Sequence, residues 1–271
     1  MNAPSPDARP FRALRFDSKH GDPALTIAPP YDVISQDDQR ALYGRSDYNI
    51  VRVEYGEERS GDGERENRYT RAARDIDAWR AARVLVRDSE PALYRYRQEF
   101  AWRGVEHVRN AVFATVRLEE WERGVIKPHE HTLANPKADR LKLLRATRTQ
   151  VSPVYCLFRP RGNDRTELMW PYDGADLYDV TADGQRHVLS AVYDPAGCAV
   201  WSKFIAGCDL YIADGHHRYE TALAYRDEAR ARASSWSGEE PENFVLMALT
   251  YAYDPGLLVL PTHRVLHVPP V

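Results

Sequence analysis

A short apolar run that ends at a glycine and enters a helix constrains the fold of this 271-residue chain more than any other feature. Asp209 to Ala213 reads as a short strand, and Asp214-Gly215-His216-His217-Arg218 follows it as a turn with several polar side chains. Tyr219, Ala222 and Leu223 then recur at helical spacing, which breaks at Arg226 and resumes at Ala229 and Ala233. A strand, a glycine turn and a helix in succession need a core shared by sheet and helices, so the fold class expected is mixed α/β (α+β).

The same unit suits an anion. A helix N-terminus offers unpaired backbone N–H groups and partial positive charge, and Gly215, His216, His217 and Arg218 add donors suited to phosphate oxygens. Asp214 is placed to hold a divalent cation, or it is an ordinary N-cap. A second polar cluster, Lys127-Pro128-His129-Glu130-His131-Thr132, offers Glu130 as a base for a substrate hydroxyl or a water, with His129 beside it. It is not an HExxH zinc helix, because Leu133 stands where the second histidine would be. Alternatively, Asp214, His216, His217, His129 and Glu130 together form a transition-metal ligand set. Weaker candidates are Tyr31 and Asp32 in the Ala28–Val33 loop, and Pro261-Thr262-His263-Arg264 near the end.

Elsewhere the pattern is coarser. Residues 1 to about 35 are Pro-rich and read as irregular, and the acidic run Glu54 to Glu66 reads as a solvated loop. Tyr69, Ala72, Ala73, Ile76, Trp79 and Ala82 predict an amphipathic helix within Gly63 to Leu85. Strands are expected over Ala92 to Phe100, Ala111 to Leu118 and Val151 to Phe158, in an antiparallel sheet, with a helix over Pro136 to Thr147 between the last two. Phe244 to Tyr253 and Leu257 to Leu266 read as the last strands. A division into 1–118 and 119–271 puts both polar clusters in the second part.

Charge excludes several classes of function. With 37 Lys plus Arg against 40 Asp plus Glu, the chain lacks the basic excess of a nucleic-acid binder, and nucleic acid is not an expected partner. Cys156, Cys198 and Cys208 are too few and too irregularly spaced for a disulfide framework or a CxxC zinc site, and Cys198 and Cys208 are expected as buried small residues. No secretion signal opens the sequence, and the apolar stretch Val245 to Leu260 is broken by Asp254, Pro255 and Gly256, so a cytoplasmic protein without a membrane partner is expected.

Read in order, APPYDVI, KPHEHTLANPKADRLKLLRAT, VSPVY, YIADGHHRYETAL and LPTHRVL resemble the bacterial and archaeal family catalogued as domain of unknown function ten-fifteen, over essentially the whole chain. Members of that family continue beyond LPTHRV, which implies a shortened chain. The HE and DGHHR pieces in turn resemble the free serine kinase group of the ParB and sulfiredoxin-like superfamily. That resemblance implies a ParB/sulfiredoxin-like core with an added N-terminal α+β portion. It makes Glu130 the catalytic base with His129 beside it in the pocket, and Asp214, Gly215, His216, His217 and Arg218 the cradle for nucleotide phosphates and Mg2+. The expected reaction is transfer of a phosphoryl group from a nucleotide (ADP, ATP or CTP) to a small hydroxyl metabolite, free L-serine being the first choice. A nucleotide-binding regulatory module of the ParB-like type is the alternative, and a ligand-free scaffold the third. Oligomeric state is not encoded in any of these features. Because 83 residues separate Glu130 from Asp214, a longer interval than in the kinase group, strands must be inserted between them if they converge.

Overall fold

The computed structural model describes residues 5–130, 134–162, 166–171 and 174–261, with the backbone alone for 134–136 and 166. The first 35 residues are more ordered than the prolines suggest. They hold strands β1 (Ala8–Arg9) and β2 (Leu14–Phe16) and three short 3-10 turns, the last at Tyr31–Val33. Helix α1 (Gln36–Arg45) starts at a capping box between Ser35 and Asp38 and buries only Leu42. The four-residue α2 (Val51–Glu54) carries Glu54 into the interior at 4% exposure, so the acidic run expected as a solvated loop begins with a buried carboxylate. Helix α3 (Arg68–Ala81) is shorter than the expected span of Gly63 to Leu85, starting after Asn67, which caps it by accepting from the Tyr69 and Thr70 amides. Ala72, Ile76 and Trp79 are its buried apolar residues, while Ala82 is exposed. Strand β3 (Leu85–Arg87) then pairs with β2.

Two hairpins form the middle of the chain. Strands β4 (Leu93–Trp102) and β5 (Val105–Arg117) are joined by Arg103-Gly104, with φ of 51° and 78°. After β6 (Ile126–Lys127), α4 (Ala134–Thr147) and β7 (Val154–Pro160), strands β8 (Ala175–Ala182) and β9 (Gln185–Val192) are joined by Asp183-Gly184, with φ of 49° and 76°. Two-residue loops with both residues at positive φ match the right-handed twist of the strands they connect. Helix α5 (Pro195–Ala206) follows, capped by Asp194 with Pro195 in its first turn, then β10 (Cys208–Asp214), α6 (His216–Arg232) and β11 (Phe244–Tyr251). Helix α6 runs unbroken through Arg226. The strand expected over Leu257 to Leu266 is absent from Leu257–Pro261, and its remainder lies outside the described residues.

The strands form one mixed sheet in the order β6-β10-β7-β11-β5-β4-β9-β8, with β1 also on β5. Most pairs are antiparallel as expected, but β6 with β10 and β7 with β11 are parallel. Strands from both sides of Leu118 share this sheet. Alternate residues, Val112, Ala114 and Val116 on β5, Val154, Cys156 and Phe158 on β7, and Val245, Met247 and Leu249 on β11, join one buried cluster with Trp201 and Ile205 of α5 and Tyr219 of α6. A separate cluster of Val53, Ala72, Ile76, Trp79, Val84 and Leu143 ties α2, α3 and α4 together. Cys156, Cys198 and Cys208 are all free and buried. Among the described residues no helix is long and apolar enough to cross a membrane.

Candidate functional site

Strand direction brings the two polar clusters together. β6 lies parallel to β10, with Ile126 opposite Leu210 and Lys127 opposite Tyr211, so both chains leave the sheet at the same edge. Segments that follow parallel neighbours meet outside the carboxyl ends of the strands, where α/β proteins place ligands. His129 and Glu130 follow β6, and the start of α6 follows β10. Strand β7 begins at the same edge, because it runs antiparallel to β10 with Tyr155 opposite Asp214.

Gly215, not Asp214, is the residue before the helix. Its φ of 91° and ψ of 28° are left-handed, and no side chain caps the helix. A Cβ built on Gly215 would meet the Arg218 guanidinium at 2.9–3.1 Å, so that side chain lies folded over the glycine. Arg218 donates to the Asp214 carboxylate and to the Pro153 carbonyl, clamping the end of β10, the first turn of α6 and the approach to β7. The two residues expected to hold Mg2+ and phosphate are therefore engaged with each other, although Asp214 stays half-exposed.

His216 is fully buried. Its Nε2 accepts the His129 backbone N–H at 3.2 Å, and its Nδ1 lies 3.0 Å from Glu130 Oε1. The ring expected to face a phosphate is thus enclosed behind Glu130. Burial pulls the His216 imidazole below its ordinary value, against the opposing pull of Glu130. His129 Nδ1 donates to the Ile212 carbonyl at 2.7 Å, anchoring the loop to β10, and its ring stands edge-on to His216 with centroids 4.6 Å apart. One ligand-type atom each from His129, Glu130 and His216 fall within 4.8 Å of one another. The Glu130 side chain is half-exposed. His217 is half-buried in the first helical turn. Lys127 turns away to Asp209 at 3.0 Å. His131 and Thr132, and Thr262, His263 and Arg264 of the motif that starts at Pro261, lie outside the described residues.

Beside the Arg218 clamp lies a second polar group that the sequence did not mark. Arg140 of α4 is buried, donates to the Glu54 carbonyl at 2.9 Å, and has its guanidinium 3.9 Å from the centre of the Tyr31 ring. Ser152 donates to Glu54 Oε1 at 2.6 Å. Burial pushes the Tyr31 phenol up while the charges of Arg140 and Arg218 pull it down, so the Ala28–Val33 loop comes within electrostatic reach of α6; Asp32 is exposed. Glu54, Arg140, Gln150, Ser152, Arg218 and Thr221 help to line a cavity of about 50 Å3. The cavity shares Arg218 with the site but not Glu130 or His216, and its size suits a few waters rather than a nucleotide. The candidate site around Glu130 is thus distinct from this cavity.

No curated protein and no solved structure matches the chain. A family model does, from residue 8 to residue 270, and that span includes both clusters brought together here. By that match the chain belongs to the family described as protein of unknown function (DUF1015).

Proposed function

We propose that the chain is a nucleotide-dependent phosphotransferase acting on a small hydroxyl metabolite, with free L-serine as the first acceptor to test. One observation carries this reading: the half-exposed Glu130 carboxylate sits 3.0 Å from His216, at the first turn of the 17-residue helix α6. Phosphoryl transfer asks little of a protein beyond positioning and charge neutralisation. The N-terminal amides of α6 supply donors and partial positive charge for phosphate oxygens, and Glu130 stands beside them as the group to take the acceptor's hydroxyl proton. Asp214 fits a magnesium ion, since Mg2+ is usually held by one or two carboxylates plus substrate phosphates, and among the described residues its Oδ1 accepts no hydrogen bond. When bound, the ion would neutralise phosphate charge. The resemblance of the HE and DGHHR pieces to the free serine kinase group supports the choice of nucleotide and acceptor, and to the ParB/sulfiredoxin-like superfamily the choice of core.

The experiment is incubation of the full chain with L-serine, Mg2+ and ADP, ATP or CTP in turn, followed by phosphorus NMR for a phosphomonoester. Phosphoserine is expected with one nucleotide. Glu130→Gln should lower turnover by about 10²–10⁴-fold while nucleotide binding persists. Equal turnover by parent and variant would remove the base role.

The clamp favours a second reading. A phosphate arriving at α6 would compete with Asp214 and the Pro153 carbonyl for Arg218, loosening a link between β10, β7 and α6. A nucleotide-binding regulatory module would use that response without a phosphorylated product. A nucleotide-dependent thermal shift with no phosphomonoester formed would select it.

A further inference from the structure

The hydrogen bonds around His216 fix where its proton sits. A ring nitrogen that accepts a hydrogen bond carries no proton, and Nε2 accepts the His129 backbone N–H at 3.2 Å. The ring is therefore neutral with its proton on Nδ1, which faces Glu130 Oε1 at 3.0 Å. The two atoms are close but not aligned as a hydrogen bond, so buried Nδ1 has no aligned partner. Catalytic hydrogen bonds are often bent before substrate arrives and tighten in the reacting complex. His129 secures the arrangement a second time: its Nδ1 donates to the Ile212 carbonyl at 2.7 Å and so pins the backbone whose amide sets the tautomer.

The same proton argues against a metal among the three groups, although their ligand atoms lie within 4.8 Å of one another. A protonated Nδ1 cannot coordinate. Moving its proton to Nε2 would set two N–H groups of His216 and His129 against each other.

We propose that His216 is a positioning residue that aims the Glu130 carboxylate through an Nδ1–H donor, its tautomer set by the backbone amide of His129. The kinetic side of this inference rests on Glu130 being the base of the proposed transfer. There, the acceptor O–H bond breaks, its proton ends on Glu130, and its electron pair forms the new O–P bond as the bond to the nucleotide leaving oxygen breaks. His216 stays neutral throughout and touches neither substrate nor nucleotide.

The test has a spectroscopic and a kinetic arm. Long-range 1H–15N spectra of the full chain labelled with [15N]histidine, assigned with His216→Asn, should show a neutral His216 protonated at Nδ1, unchanged by equimolar ZnCl2. A proton on Nε2, or joint movement of the His129 and His216 signals on adding zinc, would overturn the assignment. In the kinetic arm, His216→Ala should lower kcat roughly tenfold or more with KM for the acceptor within about twofold. His216→Asn, whose amide can occupy the place of Nδ1–H, should recover most of that loss. Equal kcat in the two variants would overturn the positioning role. If the parent forms no phosphomonoester with any nucleotide, the proposed activity fails, and the spectrum still decides the tautomer.

Discussion

At the scale of single residues, Gly215 ties backbone conformation to a side-chain contact. Its φ of 91° suits glycine, and a Cβ there would press on Arg218, whose guanidinium bridges Asp214 and Pro153. Gly61 has nearly the same φ, 95°, with nothing within 4 Å of a built Cβ. Alanine at Gly61 should therefore cost only the backbone strain, about 1 kcal/mol, whereas Gly215→Ala should cost that plus the displaced clamp, roughly a further 1 kcal/mol. Urea midpoints of the two variants and the parent measure the difference. Equal losses would mean that the Asp214–Arg218 pair contributes nothing to stability, as with many ion pairs half-open to water.

At the scale of elements, burial decides which substitutions matter. Trp201 of α5 is 1% exposed and its indole N–H donates to the Met169 carbonyl at 3.1 Å, so Trp201→Ala should destabilise by about 3–5 kcal/mol. Trp102, 39% exposed at the tip of the β4–β5 hairpin, should change stability by only about 0.5 kcal/mol when replaced by alanine. Thermal unfolding of both variants checks this, and similar losses would contradict the placement of α5 over the core. The elements legible in the sequence were those with a strong local signal: the apolar run of β10 and the glycine after it, the apolar patterns of β4, β5, β7 and β11, and the helical spacing of α3, α4 and α6. Helix α1 has no apolar stripe to mark it, because Leu42 is its one buried residue, although Ser35 and Asp38 spell its capping box. The β8–β9 hairpin and α5 also carry local signals, Asp183-Gly184 at positive φ and Asp194-Pro195 at a helix start. The meeting of Glu130 and His216 was not legible at all from local pattern. It depends on the parallel pairing of a two-residue strand, β6, whose length is too short for any periodicity. Nor could composition show that Glu54 is buried, since its partner Arg140 lies 86 residues away.

At the scale of the whole molecule, α4 couples the N-terminal helical layer to the site. It packs against both α3 and α6. Lys137 bonds Glu220 at 2.8 Å and Arg145 bonds Glu228, tying α4 to α6, while Asp139 accepts from Arg68 and from Tyr69 at 2.6 Å, tying it to α3. Burial pushes the Asp139 carboxyl up, but Arg140, Tyr69 and Arg68 outweigh it and hold the group below the usual aspartate range. A carboxylate depressed in the folded state stabilises fully above its unfolded value, about 3.9, and that stability is lost as pH falls through the lower folded value. The parent should therefore lose stability as pH falls below about 4, with the contact between α3 and α4 failing as Asp139 takes up its proton. Asp139→Asn should cost on the order of 2 kcal/mol at pH 7 and then lose less on acidification, because the group that titrates is gone. Urea midpoints at pH 7, 5, 4 and 3 decide it: parallel pH curves for parent and variant would place the acid sensitivity elsewhere. The cluster of Asp7 with Arg9 and Arg117 is the next candidate, since the two arginines, against the opposing effect of burial, hold Asp7 low in the same direction where β1 joins β5.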